Sequence, residues 1–210
     1  MSENPEFNLN ELTNENTNED NVFALPNSQF NLPLRIKTFS AQKDFEQFVK
    51  NVERSVRSSI EYRLWVKYIT EHLGNVKCAL TQESMNECPV EIHHHPITLY
   101  TVVKGVINKI LSLDQEFSTF DISLKAIELH FQNKVGYVTL IKSMHEKFHN
   151  GFLSIPKDYV KGDYEYFLNE YGRYIDEEDM DIINQRMAIL ESNCNWARNT
   201  YSFSDIAGEK

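Results

Sequence analysis

A chain of 210 residues that is 41% hydrophobic and 25% charged can bury one substantial core, and its composition fits neither a fibrous repeat nor wholesale disorder. Its formal charge of −10 argues against a protein that grips phosphate backbones across a broad surface. No apolar run approaches the roughly 20 residues of a membrane-spanning helix, the N-terminus lacks a secretory pattern, and Cys78, Cys88 and Cys194 spell neither a disulfide framework nor a zinc knuckle, so a cytoplasmic protein with no membrane partner is expected.

Residues 1–22, rich in Asn and Glu, hold too little apolar surface to offset the entropy of ordering and read as a flexible acidic arm. Residues 23–75 combine an apolar, proline-punctuated strap (Phe23 to Leu34) with a long amphipathic helix. Ser40 is its expected N-cap, and Phe45, Val49, Val52, Val56, Ile60 and Leu64 recur at helical steps until Leu73-Gly74-Asn75, with a break near Ser58-Ser59. Val76–Leu80 and Pro89–His93 read as short strands. Helical spacing returns over Ile97–Leu113 and Ile122–Phe131, followed by a strand over Val135–Leu140 and a helix carrying Met144, His145, Phe148 and His149 that Asn150-Gly151 ends. Tyr164–Tyr174 and Glu177–Leu190 complete a C-terminal helical extension, residues 152–210. The acidic run Asp176-Glu177-Glu178-Asp179 lacks the alternating spacing of a calcium loop and reads as the cap of the last helix. The acids concentrate at the two ends of the chain, so residues 31–156 carry 15 basic against 13 acidic side chains.

Five of the seven histidines fall into two groups. Alternation along a strand sends His93 and His95 to one side and His94 to the other. His145 and His149, four apart on a helix, share a face. One strand imidazole added to that pair supplies three ligands and leaves a coordination position open. His72 and His130 read as helix-face residues.

The stretch Glu91-Ile92-His93-His94-His95-Pro96, followed by Val138-Thr139-Leu140 and by Met144-His145-Glu146-Lys147-Phe148-His149-Asn150-Gly151, resembles the HNH (His-Me finger) endonuclease pattern. The resemblance covers residues 78–151 and implies an α+β, mostly helical fold. It would have a ββα-metal core over residues 76–151, a helical insertion over 97–131, and helical N- and C-terminal extensions. It implies that His93, His145 and His149 bind a divalent ion (Mg²⁺, Mn²⁺ or Zn²⁺), that His94 is the general base for hydrolysis of DNA, and that His95 points away. Glu91 and Glu146 would support the imidazoles. The asparagine of the family pattern falls at Gly136 here, with Asn133 the nearest substitute.

A second reading keeps the framework without the activity. In it the chain is an HNH-like scaffold, a protein-binding or phage assembly or regulatory component, with partners at the acidic arm or the C-terminal helices. The Asn-rich, Gly-poor composition is compatible with a phage genome.

Overall fold

The long apolar periodicity that follows residue 41 folds as two helices, and the reason is a single serine. In the computed structural model, which describes residues 39, 41–86 and 88–192, α1 (Gln42–Ser58) and α2 (Ile60–Lys67) are separated by Ser59 in an extended conformation. Its hydroxyl accepts from the Tyr62 amide at 3.0 Å and lies 2.8 Å from the Val56 carbonyl, so one side chain closes the first helix and caps the second. A π-helical turn, Tyr68–His72, ends the run. The arm 1–22, the strap from Phe23 to Leu34 and Ser40 lie outside the described residues.

Residues 76–80, expected as a strand, do not form one. The chain doubles back there. Lys77 and Ser84 make one isolated antiparallel bridge, the Cys78 amide donates to the Glu83 carbonyl at 2.8 Å, and Gln82 turns at φ 64°. The Cys78 amide and the Val76 and Cys78 carbonyls are used within this turn, and only the Ala79 amide reaches the Thr139 carbonyl, at 2.8 Å.

The two strands are β1 (Val90–His94) and β2 (Tyr137–Ile141), antiparallel, with Val90 opposite Ile141 and His93 opposite Val138. Two helices separate them in sequence. Thr98 caps α3 (Leu99–Ser112), and Ser118 with Asp121 forms a reciprocal capping box on α4 (Thr119–Phe131). β2 runs directly into α5 (Lys142–His149), and α6 (Tyr164–Tyr171) and α7 (Glu177–Ser192) follow. The fold is α+β and mostly helical, as expected.

The larger core draws Val49, Val52 and Val56 of α1, Trp65 of α2, Leu99, Val103 and Ile107 of α3, Ile122 and Leu129 of α4, and Phe167 of α6. A smaller one joins Cys78 and Leu80 of the turn to Val138, Leu140, Met144 and Ile155. Every residue of β2 is buried, so the strand that leads into α5 is held firmly in the body of the protein.

Candidate functional site

Three histidines leave the end of β1, and the pleat divides them. His94 turns toward the larger core, where its ring lies nearly parallel to those of Tyr62 and Trp65, with centroids 6.2 and 5.9 Å away. Its Nε2 is 2.8 Å from Nε2 of His130. Nδ1 of His130 is 2.6 Å from the Ala126 carbonyl, which can only accept, so His130 carries its proton on Nδ1. His94 Nε2–H is then the donor of the pair, and His94 Nδ1 is buried without a partner among the described residues. The two residues are 4% and 1% exposed. Burial holds His94 well below the ordinary histidine range, and the neighbouring His130 adds to the effect. His130 falls to about 4 through burial, against the raising effect of the Ala126 carbonyl.

On the opposite side of β1 the arrangement is different. His93 Nδ1 lies 2.9 Å from His145 Nε2, and His149 Nε2 lies 2.9 Å from that same atom. One nitrogen of each ring falls within 4.8 Å of the others. Glu91, two residues before His93 and hence on the same face, places Oε2 2.6 Å from His145 Nδ1. Phe148 covers the apolar side, its ring 4.7 Å from that of His93 and 5.2 Å from that of His95. Burial, then repulsion from His145, lowers His93 to about 2, and the same two causes lower His149. Three ring nitrogens, one from a strand and two from a helix, therefore converge on a common point.

The remaining candidates are elsewhere. His95 is buried beside Phe148 with Nδ1 unpartnered among the described residues; burial, then the Arg186 guanidinium, lowers it to about 3. Asn133 sits at φ 57° after α4, and its carbonyl accepts from the Asp163 amide at 2.7 Å, which makes it a turn residue. Glu146 points to solvent beside Lys142, with a side chain 63% exposed. Gly136 lies against the strand end: a Cβ there would stand 2.2 Å from the His95 carbonyl oxygen. His72 stacks on Tyr68. Sequence reasoning missed the His94–His130 pair. The signal open to it was the placement of Ile122, Ala126, Leu129 and His130 on one stripe of α4.

Compared with known proteins, the chain matches the model of the bacteriophage G278-like virion protein family over residues 2–204. The chain belongs to that family. No curated protein and no solved structure matches it.

Membership of the G278-like virion proteins overturns the HNH endonuclease resemblance, since the match takes in the whole stretch 78–151 from which that resemblance was drawn. The endonuclease function goes with it, as does the general-base role that it implied for His94. That ring is buried against the neighbouring rings of Tyr62 and Trp65 and spends its Nε2–H on His130, an environment unsuited to activating a water. Gly136, which the resemblance made a lost asparagine, is a position where backbone packs on backbone and no side chain fits. The second reading, a phage component, is the one that agrees with the family. Among the described residues no helix is long and apolar enough to cross a membrane.

Proposed function

We propose that this chain is a component of the phage particle that acts by binding other particle proteins. The observation that carries the proposal is the family match over residues 2–204, in a family described as virion proteins. Two features of the surface support it. The net charge of −10 disfavours a nucleic-acid partner, and large apolar side chains stay in solvent, with Phe120 60% exposed, Leu124, one turn further along α4, 53%, and Phe152 82%. On this reading the destination of the protein is the virion, and the host cytoplasm is only where it is made.

Gradient-purified particles analysed by quantitative mass spectrometry test the proposal. The expected result is a fixed copy number per particle that survives a salt wash. A protein abundant in infected-cell lysate but lost from the particle band would end it.

A further inference from the structure

The cluster of His93, His145 and His149 is not explained by membership of a virion family or by packing alone. We propose that these three side chains form a divalent transition-metal centre of the zinc class that ties α5 to β1, with Glu91 as its positioning residue.

Protonation supplies the first argument. The carboxylate of Glu91 can only accept, so His145 carries a proton on Nδ1, and in its neutral form its Nε2 offers one lone pair to the cluster. That lone pair faces two other ring nitrogens at the same distance, 2.9 Å. One acceptor shared between two imidazole donors is a poor arrangement for a half-buried site. A cation at the centre gives each of the three lone pairs its own partner. Ligand nitrogens around a tetrahedral zinc lie about 3.3 Å apart, given metal–nitrogen bonds of about 2.0–2.1 Å, so the two contacts of His145 need to open by a few tenths of an ångström, while the third pair already lies within 4.8 Å.

The donor set selects the metal. Three imidazoles with no carboxylate oxygen among them suit zinc, cobalt, nickel or copper, whereas magnesium, calcium and manganese favour oxygen-rich shells. A carboxylate that holds the far nitrogen of a ligand histidine is the usual outer partner of such centres, fixing the tautomer and raising the basicity of the ligand. Glu91 stands in that relation to His145. The fourth coordination position falls to solvent, since His149 is exposed.

The location argues for a role. α5 has eight residues, no side-chain N-cap and one buried residue, Met144, so it is short of the interactions that hold a helix in place. A metal bound by two of its residues, one turn apart, and by His93 of the sheet supplies what its sequence lacks. Zinc-type binding of this kind adds directly to folding stability, because the unfolded chain has no preformed site.

The test uses the full chain without an affinity tag, stripped of metal with a chelator, dialysed, and titrated with Zn²⁺ and with Co²⁺. One equivalent is expected to bind, with visible d–d absorption for cobalt. At a hundredfold excess over Kd the melting temperature should rise by about 5–10 °C. His149→Ala, at an exposed position that does not threaten the fold, should abolish stoichiometric binding. Glu91→Gln should weaken it by about tenfold to a hundredfold, and His72→Ala should bind like the native chain. The proposal is overturned if the native chain takes up neither metal, or if His149→Ala binds as tightly as the native protein. A Glu91→Gln variant of unchanged affinity would remove the role given to Glu91. None of these outcomes depends on whether the protein is found in the particle.

Discussion

Gly136 shows how one residue can be read in opposite ways. By spacing alone it marks an asparagine that is missing; in the fold its carbonyl accepts from the His95 amide at 3.1 Å, and the space a Cβ would need is filled by the His95 carbonyl oxygen. Gly136→Ala should therefore cost about 2 kcal/mol or more, seen as a lower urea midpoint, because backbone rather than a flexible side chain must move; a variant of native midpoint would show that the strand end yields freely. A sequence does not distinguish a side chain that was lost from one that never fitted. It does carry the two periodicities that matter at the cluster. Alternation separated His94 from His93, and the helical repeat put His145 and His149 on one face. His130 escaped because its partner is 36 positions away and nothing local announces the pairing.

The helices were legible in their apolar spacing more than in their ends: α4 was expected from Ile122, whereas the Ser118–Asp121 capping box starts it at Thr119. The expected strand at 76–80 was not, because five residues of strand-like composition say nothing about whether a neighbour is available to pair. The run Asp176–Asp179 was legible as helix-start chemistry, but one of its tasks is tertiary. Asp176 and Asp179 hold Lys104 of α3 at 2.5 and 2.7 Å, fastening α7 to the body of the protein. Burial pushes the Lys104 ammonium down, and the two carboxylates together outweigh it and hold it up. Lys104→Ala should cost about 2–4 kcal/mol, toward the lower end because Asp176 is 46% exposed and solvent-screened. Lys104→Met, which keeps the packing of the stem, should cost less. Equal losses for the two variants in denaturant titrations would assign the effect to the charge and not to the stem.

The buried histidines give the whole molecule a response to acid. His130 is pressed by Trp65 and Tyr62, faces His94 and lies within the field of Arg57, and it is held to about 4 in the fold. An unfolded chain takes up a proton near pH 6.5 that the folded one refuses. Stability should therefore be complete above that value and drain away as pH falls toward 4, at up to about 1.4 kcal/mol per pH unit from His130, with His93, His94, His95 and His149 adding in the same direction. Melting temperatures of the metal-free protein from pH 7.5 to 4.5 should show this decline; a flat profile would mean that His130 charges without penalty. The placement of α3 and α4 between β1 and β2 also bears on how the molecule is made. A chain leaving the ribosome presents β1 as a bare edge while its mate is still unsynthesised, and the intervening helical pair, rich in local contacts, can form first. Closure of the ribbon then waits for residues 137–141 and draws Glu91 and His93 to His145 and His149 in the same movement, so a nascent product cut short before that point is left with an adhesive strand.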